Sequence, residues 1–289
     1  MLTIHMIEEG QAHGQIKEIF RDIEGALGAP FVPAIFRSFA MRPELLEEAW
    51  PQIKRNIETQ SFVELSARLR RRSDSIVETI FEFDDLYSWI QEHGFSREDL
   101  RRMRYALEML HYVGPKLLLV TASLYVSLHN IRDPKVVRAK ALPQTNQEPE
   151  FPTKVPRMMM NQATADVKEA YLDVAEAVGA PILPDEFQML GEWPPLLRRV
   201  WNDLRPVMHS KTFLDEAECM LAVATEAAQE LPYSISLEHA GIDVRRVVDM
   251  FMSVYSKTQL AISAVRWMIT EGERISRMTG RAAGESQWF

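Results

Sequence analysis

The chain has 289 residues and a single cysteine, Cys219, so it cannot form an intramolecular disulfide or a cysteine zinc cluster. That usage suits a reducing cytoplasm, the compartment expected for this protein. Positive charge is also scarce: 33 Lys and Arg face 41 Asp and Glu, for a net charge of −8. Neutralising a phosphate backbone needs a basic surface, so nucleic acid is not an expected partner. The seven histidines are scattered and no His-Glu-x-x-His string occurs, so no metal site is expected. A glycine-rich phosphate loop is missing as well, and the chemistry is expected to need no cofactor. Long apolar runs are lacking too. The longest, residues 117–126, is broken by Thr121 and Ser123 and is too short to span a bilayer, so it is read as a buried helix and no membrane is expected. His5, Glu8 and Glu9 keep the first ten residues from reading as a signal peptide.

What the chain does have is a repeat. Ile16-Lys17-Glu18-Ile19-Phe20-Arg21-Asp22-Ile23 returns as Val167-Lys168-Glu169-Ala170-Tyr171-Leu172-Asp173-Val174, an offset of 151. Gly28-Ala29-Pro30, Pro43 and Trp50 return at the same offset as Gly179-Ala180-Pro181, Pro194 and Trp201. Further on, Tyr87-Ser88 and Glu92-His93 match Tyr233-Ser234 and Glu238-His239, and Pro115-Lys116 matches Ser256-Lys257 at 141. Two copies predict two similar folds, so chemical disagreement between them is informative. The sharpest one sets Pro33-Ala34-Ile35-Phe36 against Pro184-Asp185-Glu186-Phe187. Only the second copy has two adjacent carboxylates.

Periodicity is helical nearly throughout. Ile16, Ile19, Phe20, Ile23 and Leu27 form a stripe at spacings of three and four. Residues 96–114 open on Ser96 as N-cap, with Glu98 and Asp99 at the positive helix start, and Gly114-Pro115 reads as a stop. The basic run from Arg68 to Arg72 reads as a solvated helix face, Cys219 as a small core residue and Met158-Met159-Met160 as core filling. Residues 130–157 hold Pro134, Pro143, Pro149, Pro152 and Pro156, which cannot continue a helix. The expected fold is therefore all-α, with a first helical repeat at 1–129, a proline-rich linker at 130–157 and a second repeat at 158–289. Packing of the two matching faces predicts an intramolecular pseudo-dimer with a cleft on its axis. The apolar helices either bury all their faces within it or leave one for a second copy, so a homo-oligomer is open.

The segment Pro184-Asp185-Glu186-Phe187-Gln188-Met189-Leu190-Gly191-Glu192-Trp193-Pro194, taken with Gly114-Pro115-Lys116-Leu117-Leu118-Leu119, resembles the group I, non-stereospecific 2-haloacid dehalogenases. The resemblance covers almost the whole chain, the duplication and linker included. It implies an all-α pseudo-dimer with the active site between the repeats. In that family an aspartate after a serine activates a water, which attacks the halogen-bearing carbon without an ester intermediate. An asparagine just before the Pro-Lys pair helps to hold that water. Carried over, the aspartate is Glu186, the serine Asp185 and the asparagine Gly114. A family tyrosine falls on Tyr255, pocket aromatics fall near Phe31 and Ala34, and Phe187 follows the base.

Three departures matter. Glu186 keeps a carboxylate but moves it by a methylene, and Gly114 has no side chain with which to hold a water. Asp185 puts a second negative charge beside the first, which raises the proton affinity of a neighbouring acid. Alternatively, Asp185 is a helix N-cap with Gln188 completing a capping box. His111 and Tyr112, one turn before Gly114, are the preferred substitutes for the asparagine. A more distant likeness to alkylhydroperoxidase-like helical proteins lacks the redox cysteines: Pro232 and Ile235 stand in their places before His239. His239 reads as a proton shuttle or as a histidine at a helix C-terminus. The expected activity is hydrolysis of a small 2-halo carboxylic acid, with Glu186 as base, Asp185 tuning it, and His111 and Tyr255 positioning water and substrate. Two other readings stay open: acid–base chemistry without hydrolysis (an isomerase, lyase or cyclase), and binding without catalysis.

Overall fold

In the computed structural model, residues 4–82, 85–131, 149 and 151–278 are described. The first group of helices is α1 (Gly14–Leu27), α2 (Ala34–Phe39), α3 (Pro43–Ile57), α4 (Gln60–Ile80), α5 (Leu86–Glu92) and α6 (Arg97–Leu128). The second is α7 (Ala165–Val178), α8 (Asp185–Leu190), α9 (Pro194–Met208), α10 (Lys211–Gln229) and α11 (Ile242–Met278). No strand occurs among the described residues. The predicted stripe on α1 is the buried one: Ile16, Phe20, Ile23 and Leu27 all face inward.

Long helices form the interior. The face of α6 packs along α11, α10 and α4, while α1 pairs with α3 and α7 with α9. The short helices cross over, α2 resting on α11 and α8 on α6. By length and composition α6 could cross a membrane, yet 89% of its apolar stretch is buried inside the fold, as in the core helix of a globular protein.

Equivalent contacts recur along the chain, most of them at positions 151 apart. The indole of Trp50 donates to Asp22 at 2.7 Å, and that of Trp201 to Asp173 at 3.2 Å. Phe36 meets Trp50 edge-on at 5.6 Å, and Phe187 meets Trp201 edge-on at 6.1 Å. Thr59 caps α4 and Ser210 caps α10, each through the backbone N–H three residues on. Lys116 Nζ donates to Leu27 O at 3.3 Å, and Lys257 Nζ to Val178 O at 3.1 Å, so a lysine from each long helix satisfies a carbonyl at the end of α1 or α7.

Both of those helices stop at a left-handed glycine, Gly28 at φ 67° and Gly179 at φ 74°. An L side chain there strains against the following carbonyl. Gly179→Ala is expected to cost about 1–2 kcal/mol, read as a lowered urea midpoint with unchanged slope.

Several local expectations change. Ser96 caps α6 in a capping box with Asp99, but Gly114-Pro115 does not end that helix, which continues for fourteen residues beyond Gly114 to Leu128. Enclosure by α4, α10 and α11 outweighs the hydrogen bond that Pro115 removes. Residues 231–240 contain no helix, although their counterpart by sequence lies in and beside α5. His239 is accordingly in a loop, its Nδ1 2.8 Å from Glu48 Oε2, and not at a helix C-terminus. Cys219 is half-buried beside Arg72, because α10 turns that position toward the edge of α4. Met158 is partly buried against the core, but Met159 is only partly covered and Met160 exposed, so the run fills the core at Met158 alone. Arg68 and Arg72 do lie on a solvated face, reaching Glu230 and Glu216 on the opposite helix edge. Most of the proline-rich segment expected at 130–157 lies outside the described residues.

Candidate active site

The crossing of the short helices brings the two divergent motifs face to face. The backbone N–H of Ala34, at the start of α2, donates to Asp185 Oδ2 at 3.1 Å. The acid inserted into one segment thus satisfies the first amide of the other. Asp185 is the first residue of α8, with Pro184 at the cap position and no side-chain cap bond. The N-cap expectation is therefore corrected: its carboxylate leaves its own helix for α2. Gln188 completes no capping box either, because its Nε2 donates to Leu183 O at 2.9 Å.

Two arginines close around Asp185. Arg37, on the last turn of α2, is 1% exposed. Its Nη2 binds Asp185, its Nη1 binds Glu8 at 2.5 Å and its Nε donates to Val32 O at 3.0 Å. Arg157 joins from the segment before α7, at 2.8 Å from Asp185, 3.1 Å from Glu9 and 3.3 Å from Glu8. Glu9 in turn accepts the N–H of Val32 at 3.1 Å. Residues 8–9 and Arg157 thereby clamp α2 to the start of α8. Burial raises the proton affinity of Asp185, but Arg37 and then Arg157 outweigh it and hold the carboxyl below its usual range. Asp185 is a fixed anion.

Glu186 is the opposite case. It is 6% exposed, its Oε2 is buried without a hydrogen-bond partner, and no arginine binds it among the described residues. Burial first, and the neighbouring Asp185 charge second, push its pKa up to about 7. A carboxylate set there accepts protons at neutral pH, as a general base must. Tyr255, on α11, is 4% exposed, and its hydroxyl is buried beside the backbone of Ile35 with no side-chain partner. Burial, then Glu186 and Asp185, push it well above its ordinary value, so it stays protonated and serves as a donor.

The remaining candidates divide. Gly114 faces the side chain of Gln259 on α11, close enough that a Cβ at 114 would collide with its Oε1. Phe31 is buried in the core, and Phe187 is committed to Trp201. His111 Nε2 lies 2.7 Å from Asp74 on α4. Tyr112 packs against Phe151, with Lys116 Nζ 4.3 Å over its ring. Neither is brought to Glu186 by these contacts. Cavities lie elsewhere, one of about 480 Å³ lined by Ser127, Tyr233, Ile235 and Arg245. Among the described residues no three His, Cys, Asp or Glu side chains converge to hold a metal ion. Sequence reasoning missed Arg37, Arg157 and Glu8. Arg37 had a signal, as the one charge after the apolar run Phe31-Val32-Pro33-Ala34-Ile35-Phe36.

Residues 30–132 match the family model described as halocarboxylic acid dehydrogenase DehI, a stretch that contains α2 and Gly114 but ends before the acid pair. An (R)-2-haloacid dehalogenase of Pseudomonas putida is 22% identical over 274 residues, 92% of this chain and 88% of that protein. One from Rhizobium sp. (strain NHG3) is 20% identical over 234 residues, 80% of this chain and 89% of the relative. These names specify the (R) enantiomer and do not support the non-stereospecific subgroup that the motifs suggested. Among solved structures, a complex of D-2-haloacid dehalogenase with L-LA superposes with a TM-score of 0.76 at 21% identity, over 94% of this chain and 96% of that one. A mutant of such an enzyme with D-2-CPA gives 0.74 over the same shares. The chain has the all-helical fold of the D-2-haloacid dehalogenases.

Proposed function

We propose that this protein is a cofactor-independent hydrolase that removes halide from a small 2-halo carboxylic acid, using Glu186 as general base. The observation that carries the reading is Glu186 itself: buried, without a hydrogen-bond partner on Oε2, raised to about 7 and set beside a protonated Tyr255. An incoming water gives a proton to Glu186 as its oxygen attacks C2. The carbon–halogen bond breaks, halide leaves with the bonding pair, and the configuration at C2 inverts to give a 2-hydroxy acid. Tyr255 donates to the substrate carboxylate. Asp185 acts through charge, raising Glu186 while the two arginines keep it away from the substrate.

The architecture is read in the same terms: a first repeat at 1–129, a linker at 130–157 and a second repeat at 158–289, paired as an intramolecular pseudo-dimer. The hydrogen bond between Ala34 and Asp185 supports it, because residues 151 apart then meet at the pseudo-twofold axis. So do the recurring tryptophan–aspartate and lysine–carbonyl contacts.

The names of the relatives favour the (R) acid. Halide release measured on (R)- and (S)-2-chloropropionate should show turnover of the (R) acid by the wild type and almost none by Glu186→Gln. A folded wild type that releases no halide from either enantiomer sinks the proposal.

A further inference from the structure

One matched pair of segments differs in shape as well as in sequence. Tyr87-Ser88 lies in α5, which packs on α11 closely enough that a Cβ on Gly272 would collide with Asp85 and Tyr87. Its match, Tyr233-Ser234, lies in the helix-free stretch 231–240. The long helix on that side also stops sooner. α6 ends at Leu128, whereas α11 runs past the matching position, Ile269, to Met278. Where helix packs on helix around α5, the matching place holds an open cavity of about 480 Å³ between the ends of α6 and α10 and the start of α11. A volume of that size suits a small organic molecule.

The helix-free stretch is firmly held. Backbone groups outside a helix need partners from elsewhere, and one face of α3 supplies them. Asn56 accepts the N–H of Tyr233 at 3.1 Å and donates to its carbonyl at 2.9 Å. Gln52 does the same for Ser236, at 2.8 and 2.9 Å. Glu48 accepts the N–H groups of Glu238 and His239. These three side chains recur at every fourth position and so form one row. At the positions 151 further on, α9 has Arg199, Asp203 and Val207 instead, so the row has no duplicate. From the other side Ser127 Oγ donates to Ile235 O.

The wall of this cavity carries charge of one sign. Arg245, half-buried on α11, lines it, and among the described residues its guanidinium has no ion pair and no hydrogen bond. No Asp, Glu, Lys or His is among the lining residues. The polar remainder is neutral. Ser123 and Ser127 give their protons to Val120 O and Ile235 O and keep lone pairs to offer, and Tyr233, Ser234 and Ser236 add further hydroxyl-bearing residues. A cation is repelled here, and a neutral ligand leaves the guanidinium unbalanced. A carboxylate matches it, two oxygens to a planar fork and one negative charge to one positive. A phosphate monoester brings more charge than a single cation balances. The hydroxyl wall suits a ligand with hydroxyl groups of its own.

We propose that this cavity is a binding site for a polyhydroxy monocarboxylate, the chemical class of the sugar acids. Arg245 holds the carboxylate, and the serine and tyrosine wall holds the hydroxyls. The site stands apart from Glu186, since Tyr255 is ten residues beyond Arg245 on α11, about 15 Å of helix. It does not depend on the hydrolytic reading.

Isothermal titration of the full chain with gluconate and with glucuronate tests the assignment. Wild type should bind at least one of them, and Arg245→Gln should weaken that binding about 10- to 100-fold, the scale of hydrogen bonds to a charged group. Hexanoate has the charge without the hydroxyls, and glucose the hydroxyls without the charge. These two and glucose 6-phosphate should each bind at least about tenfold more weakly. Ala240→Phe fills the cavity without touching a charge and should abolish binding, which gives a second reading if Arg245→Gln does not fold. Glu186→Gln should bind as the wild type does, whatever happens to its halide release. No binding of either sugar acid at millimolar concentration overturns the proposal, as does undiminished binding by folded Arg245→Gln or Ala240→Phe. Equal or tighter binding of glucose 6-phosphate overturns the monocarboxylate, and of hexanoate the part given to the hydroxyl wall. Loss of binding in Glu186→Gln would move the ligand to the acid site and overturn the proposal as well.

Discussion

Glu186→Gln is expected to lose turnover and to gain stability, the gain growing as pH rises. General-base catalysis contributes about 10²- to 10⁴-fold, so halide release should fall by that order. The stability change has a definite sign. In the unfolded chain Glu186 loses its proton near 4.5, whereas in the fold it holds it up to about 7. Below 4.5 both states are protonated and the group contributes no difference. Between 4.5 and 7 the folded state binds more protons, so the stability that was fully present in acid is lost as pH rises, and above 7 the loss is complete. At about 1.4 kcal/mol per tenfold change in proton affinity, that loss is about 3 kcal/mol. Glutamine cannot ionise and escapes it. Urea unfolding at pH 4.5 and pH 8 would measure the difference, and an equal gap between variant and wild type at both would refute the assignment. The wild-type rate should climb through about pH 7 to a plateau, because the base works ionised.

The acid pair was legible in the sequence for a reason that its environment was not. A duplicated chain supplies its own control, and Ala34-Ile35 against Asp185-Glu186 needed no structure to stand out. Local signals also read correctly where their partners are near: the stripe on α1 and the Ser96 cap. Asp185 looked like a cap because an acid at a helix start usually finds the amides next to it. Its actual partners lie 151, 148 and 28 residues away, at Ala34, Arg37 and Arg157. Nothing local encodes that choice. The Gly114-Pro115 stop failed for the same reason, since enclosure by three long helices is a property of the assembled core.

Arg37→Met should be the most damaging single change outside the hydrophobic core. The guanidinium is 1% exposed and joins Asp185, Glu8 and the carbonyl of Val32. Its removal leaves a buried carboxylate with Arg157 as its one cation, and breaking a buried pair from one side costs about 3–5 kcal/mol. Asp185→Asn takes their shared buried carboxylate from the two arginines, which keep Glu8 and Glu9, and should also destabilise, though less. Because the two residues share one network, the double variant should be much less unstable than the sum of the singles, a coupling that denaturant titration can read directly. Strict additivity would mean that the contact carries no energy. The same pair of variants separates stability from chemistry. Without Arg37 the Asp185 charge acts on Glu186 less compensated, so the midpoint of the pH–rate curve should move up. Without the Asp185 charge it should move down, since that charge is one of the two causes that raise Glu186. Opposite shifts from two variants that both destabilise would be the signature of an electrostatic device. Common movement in one direction would reduce the network to a structural clamp, and the raised base would then owe its pKa to burial alone.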